Sequence, residues 1–228
     1  MRAAEERLVE AKLSELRPTQ VTVGYDEVAF KRRQWVERAD EENCRFIFEH
    51  HFPAVQGPSS YYYIVDGHHL GRALLEEGVG TVWLSLIENM SHLDETEFWR
   101  VMNSRRLIYS YDALGRRRDF AEMPKALSEL TDDPFRGLAA RVRRSGEHEK
   151  DSTPFAEFQW AESFRNYISL PALRTYPERA LECAKELVRE GSSTCGARFG
   201  GVLDHSSAER CPSVRNGVRL CDERPTAP

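Results

Sequence analysis

The stretch from Tyr61 to Gly78, YYYIVDGHHLGRALLEEG, constrains the fold most, because a strand pattern runs directly into a helix pattern. Tyr62–Val65 has the aromatic and β-branched composition of a buried strand. The following segment has three apolar residues on one helical face: Leu70, Ala73 and Leu74. Gly78 occupies the place of a left-handed residue that ends a helix. We therefore predict a strand, a sharp turn and a helix over Asp66–Glu77.

The turn itself, Asp66-Gly67-His68-His69, has the residue types of a phosphate site. Gly67 permits a sharp turn, and the amides of His68, His69 and Leu70 would project from a helix N-terminus, where anions bind. In one interpretation Asp66 is only the N-cap of the helix, accepting the amide of His68 or His69. In the other, Asp66 holds Mg²⁺, which prefers oxygen ligands, and the histidines donate to phosphate oxygens.

The two imidazoles are not expected to share one role. Adjacent residues on a helix project about 100° apart, so one of His68 and His69 would face a ligand. The other would be a buried, hydrogen-bonded histidine.

Composition limits the range of functions. With a net charge of −5, the chain has no overall attraction for nucleic acid or anionic membranes. The first sixteen residues, MRAAEERLVEAKLSEL, are charged and amphipathic rather than a signal peptide, so we expect a cytoplasmic location. Five cysteines without a Cys-x-x-Cys pair indicate neither a disulfide framework nor a common zinc site.

Composition also divides the chain into three parts. Residues 1–112 alternate strand and helix patterns, residues 113–190 are predicted to be helical, and residues 191–228 are predicted to be a disordered tail. The fold class is therefore α/β (α+β), with a domain of alternating strands and helices followed by a helical C-terminal domain.

Further elements are predicted in the first part. Four strands are expected: Thr19–Val23, Phe52–Gln56, Tyr61–Val65 and Thr81–Leu86, the second and third joined by a Gly-Pro-Ser-Ser turn. An apolar stripe predicts a helix containing Tyr25, Val28, Trp35 and Val36. The strands flanking the Asp66–Glu77 helix are predicted to be parallel, with a right-handed crossover. Asp94 is predicted to cap a helix, and Leu107–Tyr111 to form an edge strand.

Five segments together resemble the ParB-like nuclease branch of the ParB/sulfiredoxin superfamily. They are LRPTQVTVGYDEVAFKRRQW, VQGPSSYYYIVDGHHLGRAL, EFWRVM, LTDDPFRGLAARVRRSG and PFAEFQWAESFR, and they cover Leu13 to Tyr167. The resemblance implies a small mixed-sheet α/β domain with its nucleotide or phosphate site at the Asp66–His69 turn. The branch is also similar to free-serine kinases, which share the fold, a DGHH-type loop and a following helical domain.

Other branches of the superfamily fit less well. Sulfiredoxins need a cysteine in this loop, and the chain has none between Cys44 and Cys183. Partition ParB proteins carry a Gly-Glu-Arg-Arg loop and a following helix-turn-helix, whereas this chain lacks the arginine pair and a net basic DNA-binding domain. The serine kinases usually follow the two histidines with an arginine, whereas this chain has Leu70, with Arg72 two places on.

Resemblance to the kinases implies that a glutamate before the loop, here Glu27, is the general base that takes the proton of the acceptor hydroxyl. Lys31, one turn later, would neutralise phosphate charge. The alternative is that Glu27 is a solvated acid at a helix N-terminus and Lys31 a surface residue.

The sequence therefore predicts Mg²⁺-dependent phosphoryl transfer to a small-molecule hydroxyl, or nucleotide hydrolysis, with ATP or ADP as the nucleotide. The catalytic candidates are Glu27, Asp66, His68 and His69, with Asp66 as the metal ligand. The cofactor-binding candidates are Gly67, His68, His69, Leu70, Lys31 and Arg72. One alternative is a nuclease that uses Asp66 as metal ligand and His68 as base, although the negative charge does not favour nucleic acid as the partner. Another is a nucleotide-sensing module without turnover. No membrane partner is expected.

Overall fold

The computed structural model describes residues 7–146 and 156–194, and it divides into two compact units between Asp133 and Pro134. The sequence placed this boundary after residue 112. Seven strands occur in the described part of the first unit: β1 Arg7–Lys12, β2 Arg17–Pro18, β3 Thr22–Val23, β4 His51–Gln56, β5 Tyr62–Ile64, β6 Thr81–Asn89 and β7 Thr131–Asp132. Its α-helices are α1 Tyr25–Glu37, α2 Asp40–Glu49, α3 His68–Glu76 and α4 Glu95–Ser104.

Five strands form one mixed sheet in the order β1-β6-β4-β5-β2, and β3 pairs with β7 separately. Strand β4 is antiparallel to β5 and parallel to β6. The strands flanking α3, β5 and β6, are therefore antiparallel and separated by β4, so the predicted parallel pair was wrong. The parallel crossover instead runs from β4 to β6, because β5 first turns back along β4 as a hairpin.

Helices pack on both faces of this sheet. Since successive strand residues point to opposite faces, Ala54 and Ile64 lie on one face and Val55 and Tyr63 on the other. The first face packs against Val28 of α1 and Leu74 of α3, all within one buried cluster. The second face packs against α4 residues, including Phe98. The sheet is thus buried on both faces where it leads into α3.

Most predicted helices of the first unit are present. Asp94 Oδ1 accepts the Glu97 amide at 2.8 Å, as expected for the cap of α4. In α1, Val28 is buried and Trp35 packs against the core, but Tyr25 and Val36 are 42% and 66% exposed and do not belong to the apolar stripe. Leu107–Tyr111 forms only isolated bridges rather than the predicted strand.

Helix α2 was not predicted from the sequence. Its apolar residues Phe46 and Ile47 are adjacent and late in the helix, so no helical period is visible. The acidic residues Asp40, Glu41 and Glu42 in its first turn were the available signal, because carboxylates stabilise a helix N-terminus.

The second unit contains four helices in its described part: α5 Pro134–Arg144, α6 Ala156–Tyr167, α7 Leu170–Thr175 and α8 Pro177–Thr194. Phe135, Phe164 and Ala184 belong to its own buried apolar cluster. Pro134 begins α5 directly after Asp133. Residues 195–228, most of the predicted disordered tail, lie outside the described residues. In the segments that are described, none of the helices combines the length and apolar character needed to cross a membrane.

Candidate functional site

The turn before α3 depends on a left-handed residue. Gly67 has φ +80° and ψ 13° and is the N-cap of α3. Asp66 is exposed, and its Oδ1 accepts the Gly67 amide at 2.7 Å. The alternative in which Asp66 caps α3 through the amide of His68 or His69 was therefore wrong, because the helix begins one residue later than that role requires. A Cβ on Gly67 would lie 2.8 Å from Phe52 Cδ1, so glycine is needed for space as well as for φ.

Both histidines of the loop lie in the interior. His68 and His69 are 4% and 8% exposed. Nε2 of His68 accepts the Thr19 amide at 3.1 Å, and Nε2 of His69 accepts the Gly24 amide at 3.0 Å. Each ring must be unprotonated at Nε2 to accept these bonds. The sequence assigned such a structural role to one imidazole, whereas here both rings attach the start of α3 to the segment that precedes α1.

Two other predicted ligand-binding residues also have structural contacts. The Leu70 side chain belongs to the buried core, so only its backbone amide is suited to a polar ligand. Nη1 of Arg72 donates to the carbonyls of Leu127 and Ser128 at 3.1 and 2.6 Å, and its Nε donates to Glu76 at 2.6 Å. Arg72 thereby joins α3 to a short 3₁₀ turn, and phosphate binding by Arg72 stays a prediction.

Glu27 and Lys31 lie next to each other on α1. The Glu27 side chain is only 2% exposed, and its Oε1 lies 3.5 Å from Nζ of Lys31, whose side chain is 28% exposed. Glu27 is therefore not the solvated acid of the alternative interpretation. The Lys31 ammonium compensates part of the cost of burying this carboxylate.

A residue that the sequence analysis missed, His50, lies beside the loop. Its ring stacks on Phe46 at 5.1 Å between centroids and meets Phe52 edge-on at 5.4 Å. The Phe52 ring is the group that a Cβ on Gly67 would strike, so one aromatic ring contacts both His50 and the loop.

Two charged side chains act on the pKa of His50 in opposite directions. Burial lowers the pKa of His50, the positive charge of Lys31 lowers it further, and the negative charge of Asp66 acts to raise it. Lys31, His50 and Asp66 therefore share one electrostatic environment. We call these three residues the outer group.

The register of the β4–β5 hairpin could have revealed His50. Ala54 pairs with Ile64, and the Val65 amide donates to the Pro53 carbonyl at 2.9 Å. Continuing this antiparallel pairing places the residues before Phe52 beside the residues that follow Val65. The sequence indicated the hairpin but not its register, so His50 was not connected to Asp66.

The residues around the loop fit a magnesium ion only if the substrate supplies part of its coordination. In the parts of the chain that the structure describes, no three His, Cys, Asp or Glu side chains converge as a metal-binding group. Mg²⁺ is commonly held by one or two carboxylates together with substrate phosphates and water. The exposed carboxylate of Asp66 is compatible with that arrangement, in which the substrate supplies further oxygens.

Comparisons with known proteins identify the family. The model of the family described as "Putative ParB-like nuclease" matches residues 9–166, and the chain belongs to this family. It is also similar to a solved structure, the crystal structure of protein Atu1540 from Agrobacterium tumefaciens. The two are 41% identical, the match covers 84% of this chain and 96% of that one, and the TM-score is 0.77. No curated protein matches the chain. Family and mixed α/β fold therefore agree with the resemblance found in the sequence.

Proposed function

We propose that this protein binds the phosphates of a nucleotide, ATP or ADP, at the Asp66–Leu70 loop. The proposed reaction is Mg²⁺-dependent phosphoryl transfer to a small-molecule hydroxyl or to water. The observation that supports it is the outer group: His50 packs against Phe52, the ring next to Gly67, and the charges of Lys31 and Asp66 both act on the pKa of His50.

The chemistry of these residues suits a phosphoryl group. The N-terminus of α3 carries a partial positive charge, and Lys31 adds a full one. Asp66 would hold Mg²⁺, which when bound neutralises charge on the phosphate oxygens. Phosphoryl transfer needs mainly positioning and charge stabilisation, which are the contributions these residues can make.

The buried histidines contribute indirectly to this proposal. By accepting the amides of Thr19 and Gly24, His68 and His69 fix the chain immediately before α1. Helix α1 carries Lys31 and Glu27, so the two imidazoles hold these side chains in place relative to the loop. In this interpretation the DGHH motif supports the site more than it touches the ligand.

Calorimetric titration with ATP, ADP and CTP in the presence of Mg²⁺ tests the proposal. We expect saturable binding of at least one nucleotide by the wild type, and binding weakened at least about tenfold by Lys31→Gln or Asp66→Asn, since loss of one charged contact costs roughly 1.5–3 kcal/mol. Lys12→Gln is a matched control, because Lys12 is an exposed lysine that also pairs with a glutamate, Glu15, but lies on the edge strand β1.

The possible outcomes separate the alternatives. The absence of heat with all three nucleotides, under conditions where the protein is folded, would contradict the proposal. Binding without any product over hours would instead indicate a sensing module that does not turn over. Binding that Lys12→Gln weakens as much as Lys31→Gln does would move the site away from the loop.

A second candidate function is a nuclease, which the family membership favours. Asp66 would again hold the metal ion, and the scissile bond would be a phosphodiester. Nicking of supercoiled plasmid by the wild type and by Asp66→Ala tests this candidate. Cleavage that is lost in Asp66→Ala would support it, and equal cleavage by both proteins would exclude this site.

A further inference from the structure

We propose that His50 is the general base of this site, taking the proton from the hydroxyl or water that attacks the phosphorus. The inference rests on the proposed function, because it requires a phosphoryl group at the Asp66–Leu70 loop. The juxtaposition that points to it is the Phe52 ring, which packs edge-on with the His50 ring and also lies next to Gly67.

The surroundings of His50 hold its ring in one orientation. Phe46 stacks on it with an angle of 15° between the ring planes, and Phe52 stands nearly perpendicular to it at 79°. The guanidinium group of Arg38 lies over the Phe46 ring, with its central carbon 4.3 Å from the ring centroid. A ring packed in this way keeps its nitrogens in place, as a catalytic group requires.

His50 is better placed for this role than Glu27, the base implied by the kinase resemblance. A general base must come within hydrogen-bonding distance of the proton that it removes. The Glu27 side chain is 2% exposed and is paired with Lys31, whereas His50 is partly exposed and packs against Phe52, the ring next to Gly67. The geometry therefore assigns proton transfer to His50. Glu27 instead positions the Lys31 side chain.

The charges around His50 favour its neutral, proton-accepting form. Besides burial, three basic side chains lower its pKa: Lys31 and Arg38 from α1 and the residue after it, and His51 from β4. Asp66, from the loop before α3, acts in the opposite direction. Since the pKa lies below its ordinary value, the imidazole is mostly unprotonated at neutral pH and can accept a proton.

The step is balanced without any further reactant. The O–H bond of the attacking group breaks, and its proton moves to a ring nitrogen of His50. A new O–P bond forms, the P–O bond to the leaving group breaks, and the leaving oxygen keeps the electron pair. The imidazolium then returns the proton to solvent, so the products are the phosphorylated acceptor (phosphate when water attacks), the leaving group and one proton.

The test uses His50→Ala and His50→Gln in the full chain, with His92→Gln as the matched control. His92 is an exposed histidine outside the outer group. The substrates are Mg²⁺·ATP, with water as acceptor, and bis(p-nitrophenyl) phosphate with Mg²⁺. We expect kcat to fall by roughly 10²–10⁴-fold in both His50 variants, with Mg²⁺·ATP affinity changed less than about threefold. Added imidazole should restore part of the activity of His50→Ala.

The outcomes distinguish the inference from the proposed function. If the wild type turns over a substrate and His50→Gln retains its kcat, His50 is not the base, although the proposed function stands. If the wild type neither binds nucleotide nor turns over either substrate, both are overturned. A folded His50→Ala with low activity that imidazole does not raise, together with weakened affinity, would indicate a structural role and would also overturn the inference. Thermal melting of each variant verifies that it is folded.

Discussion

The inner and outer sides of the Asp66–His69 turn use similar residue types for different purposes. On the inner side, His68 and His69 are buried and accept backbone amides from the segment before α1. On the outer side, His50 is partly exposed among aromatic rings and shares its environment with Lys31 and Asp66. The comparison teaches that the two histidines of the motif, His68 and His69, have structural roles. The histidine that solvent can reach, His50, comes from another segment.

The energetics of the two sides differ accordingly. A buried amide that loses its acceptor costs about 1–3 kcal/mol, so the inner contacts contribute to folding. Partly exposed charges are screened by water, and pairs of them contribute about 0–1 kcal/mol. We therefore expect substitutions on the inner side to affect mainly stability, and substitutions on the outer side to affect mainly binding and turnover.

The largest stability effect is expected for the inner histidines. His68→Ala and His69→Ala should each destabilise the protein by at least about 1–3 kcal/mol, because each leaves a buried amide without its acceptor. His92→Ala is the control, since His92 is exposed and its loss should change stability by less than about 0.5 kcal/mol. Urea unfolding measures all three. Inner variants as stable as His92→Ala would break the distinction between the two sides.

A smaller effect is expected for Gly67→Ala, which acts on the turn between the two sides. The left-handed backbone costs about 1–2 kcal/mol for an alanine, and the contact with Phe52 adds to this. Gly78→Ala separates the two contributions, because Gly78 has φ +77° but nothing within 4 Å of its Cβ position. Thermal or urea unfolding should rank Gly67→Ala below Gly78→Ala in stability. The reverse order would mean that Phe52 does not pack against the loop as described.

Acid should weaken the fold in part through His50. Its pKa is lowered in the folded protein, so the unfolded chain binds the proton more readily. The corresponding stability is fully present above the unfolded value of about 6.5 and is lost as pH falls through the lowered folded pKa. His50→Gln should therefore show a shallower loss of stability below about pH 6.5, measured by urea unfolding at several pH values. An unchanged slope would contradict the described surroundings of His50.

The smallest stability effect is expected for Asp66→Asn. Asp66 is exposed, and an asparagine retains an oxygen that can accept the Gly67 amide, so stability should change by less than about 0.5 kcal/mol. Mg²⁺-dependent nucleotide binding should nevertheless be weakened, which calorimetry measures. A variant that is strongly destabilised would place Asp66 with the structural inner side instead.

Local sequence patterns predicted the elements around the turn well. The β4–β5 hairpin, α3 with its end at Gly78, and α1 follow from turn residues and helical periodicity, which act over a few neighbouring residues. The composition of the loop also indicated where the candidate site lies. These features require no knowledge of distant contacts.

The remaining features depend on contacts between distant segments. The strand that lies between β5 and β6 is β4, and only the complete sheet shows this pairing. The inward direction of both His68 and His69 depends on the amides of Thr19 and Gly24, more than forty residues away along the chain. His50 was missed for the same reason, because hairpin register rather than its own neighbours brings it near the residues that follow Val65.

Amide and imidazole nitrogen–proton correlation spectra recorded while Mg²⁺·ATP is added test the central claim most directly. We predict that the signals of Asp66, Gly67 and His50 shift with a common saturation curve, while the Nε2 nitrogens of His68 and His69 stay unprotonated acceptors. Saturable shifts confined to other segments, with the loop and His50 unchanged, would contradict the account.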